Sequence, residues 1–153
     1  MVKKRIGIVI KNEAYAREKA GELINTLGDA CVVIDTRTQQ EIPGDICCMV
    51  VLGGDGTFLS VARFIGNRDI PLMGVKFGEV GFLAETTEEG LYQAVEAIFN
   101  GEYIIQERTR LDIKVIRQDQ TIVDEDVLND AVINKSALSR LASCAVFLEG
   151  NYL

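Results

Sequence analysis

The chain contains no histidine. The side chain that most readily moves protons near neutral pH is missing, so any general base must be a carboxylate, a lysine or a group from another chain. Long apolar runs are missing too. None approaches the roughly 20 residues that a membrane-spanning helix needs. Met1-Val2-Lys3-Lys4-Arg5 is basic, but the apolar stretch behind it is short and broken by Gly7, which argues against a signal peptide. Positive charge is in deficit: 16 Lys and Arg against 23 Asp and Glu leave −7. That balance disfavours nucleic acid or an anionic membrane as the main partner, but not a nucleotide, which needs only local donors. The four cysteines, Cys31, Cys47, Cys48 and Cys144, lack metal-ligand spacing, and two of them are neighbours in an apolar run. Reduced, buried thiols in a cytoplasmic protein are the expectation. What is present, 48 % hydrophobic and 25 % charged residues in 153, suffices for one ordinary domain with a real core.

The most informative stretch is Ile46 to Thr57. Ile46-Cys47-Cys48-Met49-Val50-Val51-Leu52 is apolar without alternation, as expected of a strand buried on both faces of a parallel sheet. Gly53, Gly54 and Gly56 then surround Asp55, and Phe58, Val61, Ala62 and Ile65 follow at helical spacing up to Gly66. Glycine permits positive φ and lets a ligand approach the backbone. A strand, a glycine turn and a helix N-terminus together make an anion site. Two standard fingerprints are excluded. No Lys follows Gly56, as a Walker loop requires, and Leu59 stands where a dinucleotide loop has its third glycine. Asp55 would repel phosphate unless it binds a metal or accepts a proton from a sugar hydroxyl; the plainer alternative is that it only shapes the turn.

The flanking pattern gives the fold class. Arg5–Ile10 reads as a strand. Ala20, Leu23, Ile24 and Leu27 share a helical face that Gly28 ends, and Cys31–Ile34 is a short strand. A polar loop, 35–45, leads to the central strand. Ile70–Val75 is a further strand with Pro71 at its start. Thr86 and Glu89 suit a capping box before a helix carrying Leu91, Ala94, Val95 and Ile98 and closed by Asn100-Gly101. The order predicts an α/β fold, a doubly wound, mostly parallel, Rossmann-like sheet over residues 1–101. Both glycine turns should lie at its carboxyl edge, where such sheets bind ligands. From 102 to 153 the pattern is β-rich. Leu111, Ile113 and Val115 alternate with polar residues, Gln118-Asp119-Gln120 is a turn, and Val127–Ile133 and Cys144–Leu148 read as strands. Glu149-Gly150-Asn151 reads as a hairpin turn, after which Tyr152 and Leu153 are too few to pair, as if the β-rich unit were truncated.

Three blocks carry a family resemblance. Gly53-Gly54-Asp55-Gly56-Thr57 resembles the GGDGT motif of NAD kinases and of diacylglycerol and sphingosine kinases. Gly74-Val75-Lys76-Phe77-Gly78-Glu79-Val80-Gly81-Phe82-Leu83 is similar to the NAD kinase segment G-[IV]-N-x-G-x-x-G-F-L, and Leu128-Asn129-Asp130-Ala131-Val132-Ile133 to L-N-E-x-x-[IV]. Together they resemble the N-terminal half of an NAD kinase. The resemblance implies transfer of the terminal phosphoryl group of ATP or polyphosphate, with Mg²⁺ or another divalent cation, to the adenosine 2′-hydroxyl of NAD.

It implies Asp55 as base and ribose contact, with Gly53, Gly54, Gly56 and Thr57 holding phosphate and Gly56 also near NAD. Phe82 would face the adenine, Asn129 and Asp130 would hold adenine and ribose hydroxyls, and Arg140 would lie near NAD. The bare chemistry leaves Thr57 open as a helix cap, Phe82 as a core aromatic, Asn129-Asp130 as a turn and Arg140 as a surface residue. Lys76 departs from the family Asn, and Asp130 is one methylene shorter than the family Glu. A homo-oligomer, dimer or tetramer, is implied for the full-length protein. The other readings are a lipid or sugar kinase of the wider GGDGT group, and a non-catalytic nucleotide-binding fragment.

Overall fold

The computed structural model describes residues 4–38, 41–77, 83–134 and 143–153. Its first part is a parallel sheet wrapped by helices. The chain runs β1 (Arg5–Ile10), α1 (Ala14–Leu27), β2 (Cys31–Val33), β3 (Ile46–Leu52), α2 (Asp55–Ile65), β4 (Leu72–Lys76), β5 (Thr86–Thr87) and α3 (Leu91–Asn100). Strand order is β2-β1-β3-β4-β5, and every pair is parallel. β3 lies at the centre, and Met49, Val50, Val51 and Leu52 are fully buried there.

Alternation along β3 splits the core. Cys48, Val50 and Leu52 face a cluster with Ala20 and Leu23 of α1 and Leu91 and Val95 of α3. Met49 and Val51 face Phe58, Val61 and Ile65 of α2. Helices on both faces make the sheet doubly wound, as the sequence pattern predicts. Arg5 grips Asp45 with Nε at 2.6 Å and Nη2 at 2.9 Å, which pins the start of β1 to the turn before β3. Those hydrogen bonds hold the Asp45 carboxyl below its ordinary pKa. The helices stop at Gly28, Gly66 and Gly101, each at positive φ, where a Cβ would strain the backbone.

Several local expectations fail. Thr86 and Glu89 form no capping box. Thr86-Thr87 is instead a short parallel strand on β4, and α3 starts from Gly90 with no side-chain cap. The β-rich part begins with β6 (Leu111–Arg117) paired antiparallel to β7 (Gln120–Val127). Val127–Ile133 is therefore not a strand; only Val127 belongs to one. The acidic run Asp124-Glu125-Asp126 hides β7 from a hydrophobicity reading. Lys114 on β6 offsets part of that charge, 3.4 Å from Asp124 and 3.8 Å from Asp112. Gln118 and Asp119, both at positive φ, make the two-residue turn. The strand expected at Cys144–Leu148 shrinks to β8 (Phe147–Leu148), and β9 (Asn151–Tyr152) pairs back on it. Two residues do pair, because the turn is Glu149-Gly150, both at positive φ, and the Phe147 and Tyr152 rings meet edge to face at 5.5 Å. Cys31 and Cys48 are buried free thiols, but Cys47 is half-buried and Cys144 exposed. Burial pushes the Cys48 thiol up to about 12. No helix among the described residues is long and apolar enough to cross a membrane.

Candidate functional site

β1, β3 and β4 end level with one another. Ile10 pairs with Leu52, and Leu52 with Val75. The chain leaves β1 toward β2 on one side and returns to β3 on the other. The switch point thus lies between β1 and β3, the place where open α/β sheets take ligands. The residues that leave these strands at that edge are Lys11-Asn12, Gly53-Gly54 and Phe77.

The glycine turn is built by close approach, not by unusual torsions. None of Gly53, Gly54 and Gly56 has positive φ, so of the two freedoms glycine offers, this turn uses the missing Cβ. A Cβ on Gly53 would lie 2.8 Å from Thr57 Oγ1 and 3.1 Å from Lys11 Cβ. Gly53 is therefore tied to the packing of β1 against α2. Among the described residues, a Cβ on Gly54 or Gly56 would meet nothing within 4 Å. Gly54 is the cap of α2, and Asp55 and Gly56 are its first helical residues. Their N–H groups have no carbonyl within the helix to bond. Thr57 sits inside the first turn and makes no side-chain cap, which removes the helix-cap reading of that residue.

Mutations separate these roles. Gly53→Ala should cost about 1–3 kcal/mol, the usual range for overpacking. Gly56→Ala, in a helix with room for the methyl, should leave stability equal or raise it by up to about 1 kcal/mol while weakening anion binding. Thermal melts with and without nucleotide check both; a Gly53→Ala protein as stable as the parent would contradict the packing role.

Asp55 is half-buried, and its Oδ1 accepts the N–H of Leu83 at 3.1 Å. This bond joins the aspartate of the first glycine turn to the last residue of the second glycine block, 28 positions on. Phe82, just before it, lies outside the described residues, as does Arg140. The second block is also tied at its start. Gly74 N–H donates to Glu85 Oε2 at 2.8 Å, and a Gly74 Cβ would lie 2.9 Å from Ala84 Cα.

Asn129 and Asp130 follow β7 and are exposed; Asn129 Nδ2 donates to Asp130 Oδ1 at 3.1 Å. With Leu59 and Ala62 of α2 they line a cleft of about 120 Å³. One helix thus carries Asp55 in its first turn and, one turn on, the wall facing Asn129-Asp130. A larger hollow of about 380 Å³ lies between α1 and α3. Tyr15 Oη donates there to Glu88 at 2.5 Å, and Lys19 bridges Glu88 and Glu22, which raises the pKa of its ammonium. One lysine against Glu22, Glu88 and Glu89 suits a polyanion poorly.

Against known families, the ATP-NAD kinase N-terminal domain matches residues 6–103. The chain belongs to the NAD kinase family. The NAD kinase of Desulfatibacillum aliphaticivorans is 41 % identical over 98 % of this chain and 57 % of its own length. That of Geobacter metallireducens is 47 % identical over 76 % of this chain and 41 % of its own. The chain spans about half the length of the curated relatives it matches. Among solved structures, yeast NADH kinase complexed with NADH superposes with TM-score 0.63 at 19 % identity over 82 % of this chain and 47 % of that one, a likeness of fold. The NAD kinase match at 6–103 includes both glycine turns; Asn129 and Asp130 fall beyond it, within the reach of the Desulfatibacillum alignment.

Two residues at the site carry no motif. Lys11 packs against Gly53 and pairs with Glu13 at 2.5 Å, and Asn12 Oδ1 accepts a hydrogen bond from Arg17. Their only sequence signal is that they are the first polar residues after an apolar strand.

Proposed function

We propose that this chain carries the phosphate- and adenosine-binding part of an NAD kinase, with residues 1–101 as the nucleotide-binding domain and 102–153 as the start of a β-rich NAD-binding domain. The observation that carries the reading is the bond from Leu83 N–H to Asp55 Oδ1. It ties the carboxylate, at the carboxyl edge of the sheet, to the residue that closes the second glycine block. Asp55 takes the proton of the adenosine 2′-hydroxyl as that oxygen attacks the terminal phosphorus of ATP or polyphosphate. The donor's bridging oxygen leaves with the electron pair, giving NADP and ADP or a shortened polyphosphate. The backbone at Gly54 and Gly56 and the start of α2 receive donor phosphates, with Lys11 adding a cation at that edge. Phe82, Asn129, Asp130 and Arg140 are assigned to the NAD side.

No group of three or more metal-ligating side chains exists among the described residues. The divalent cation is assigned chiefly to the donor's phosphates, since Mg²⁺ commonly takes one or two carboxylates plus phosphate oxygens. When bound, it supplies charge neutralisation to the transferred group.

The test uses an extended protein, residues 1–153 continued by the C-terminal part of the Desulfatibacillum relative. Calorimetry should register NAD and NADP and neither diacylglycerol nor fructose 6-phosphate. Binding of either of the latter without NAD would overturn the assignment.

A further inference from the structure

Arg110, the residue before β6, is half-buried, and its Nη2 donates to the Ala62 carbonyl of α2 at 3.1 Å. Ala62 is one of the last four residues of α2, whose carbonyls find no partner within a helix and carry its negative end. Arg68 serves the next ones, with Nη1 at 3.4 Å from the carbonyls of Phe64 and Ile65. So a cation from the β-rich part caps a helix of the parallel-sheet part. Two contacts run beside it. Leu128 packs against the cluster of Met49, Val51, Phe58 and Val61, and Arg63 Nε lies 3.9 Å from Glu125. β6 and β7 are locked in register, Leu111 opposite Val127. The position of Arg110 is thereby passed to Asn129, two residues past Val127, and the cleft between Arg110, Asn129, Asp130 and α2 is where the two sides meet.

We propose that Arg110 is a positioning residue: by capping α2 it holds Asn129-Asp130 at the flank of the helix whose first turn carries Asp55. What the pair binds rests on the function proposed above; the latch does not. A guanidinium suits the task because it is always charged and its long stem packs as its head donates.

The latch is read by NMR on the 153-residue chain. In Arg110→Ala, the methyl contacts of Leu128 with the α2-side cluster should be lost while those between β1 and β3 residues persist; Arg110→Lys should keep both. Should the alanine variant lose the β1–β3 contacts as well, Arg110→Gln, of similar stem but uncharged, is judged by the same two readings. In the extended protein, Arg110→Ala should raise KM for NAD about tenfold, as expected for a lost charged hydrogen bond, with kcat and KM for ATP much less affected and the lysine variant restoring most of it. Leu128 contacts unchanged without the guanidinium, or a fall in kcat with KM for NAD unmoved, would overturn the proposal. Loss of Leu128 contacts in a protein that does not phosphorylate NAD at all would support the latch and refute the function.

Discussion

Asp55→Asn should lower kcat of the extended protein at least about a hundredfold, the lower range for removal of a general base, with NAD affinity changed less. Residues 1–153 contain no histidine, so no imidazole from this part can stand in for the carboxylate. Asparagine keeps the shape of the side chain and an oxygen to accept the Leu83 N–H, so the turn should fold as before. What it loses is the ability to take a proton. Steady-state kinetics distinguish the two effects: a fall in kcat with little change in KM for NAD is expected, and near-parental turnover would remove Asp55 from the chemistry.

Residues 1–153 alone should form no measurable NADP. The cleft beside Asn129-Asp130 measures about 120 Å³, below the roughly 300–1,000 Å³ of small-molecule sites. Leu111, Val115 and Val123 of the β6–β7 hairpin, and Phe147 and Leu148 beyond it, are exposed; a cleft of that size does not enclose a dinucleotide. Positioning can account for about 7–11 kcal/mol of a barrier, so losing half the enclosure is costly. The parallel-sheet part has its own core on both faces and should fold regardless. The assay is NADP formation from NAD with ATP and Mg²⁺, the 153-residue chain beside the extended protein. Equal turnover would show that the active site lies elsewhere.

The parallel sheet was legible because burial on both faces leaves a plain mark. β3 is apolar at every position, and the glycines after each helix stand where positive φ is needed. The base candidate was legible because a lone carboxylate among glycines is chemically out of place beside phosphate. Other features were hidden for physical reasons. β7 is mostly exposed and acidic, so its pairing to β6 is carried by backbone hydrogen bonds and the turn at Gln118-Asp119, not by apolar alternation. Thr86-Thr87 has the composition of a helix start, but β4 offers it an open edge first. Lys11 and Asn12 belong to the site only because β1 and β3 are neighbours, a fact of topology that no local pattern encodes. Arg110 is likewise visible only once Ala62 is seen beside it.

The most direct measurement gives the extended protein NAD, diacylglycerol and fructose 6-phosphate together with ATP and Mg²⁺, and identifies the phosphorylated product by mass spectrometry and phosphorus NMR. The expected result is NADP alone, its new phosphate on the adenosine 2′-oxygen, and its near-complete loss with Asp55→Asn. Phosphate on the lipid or the hexose with NAD untouched, or NADP formed as fast without the Asp55 carboxylate, would contradict it.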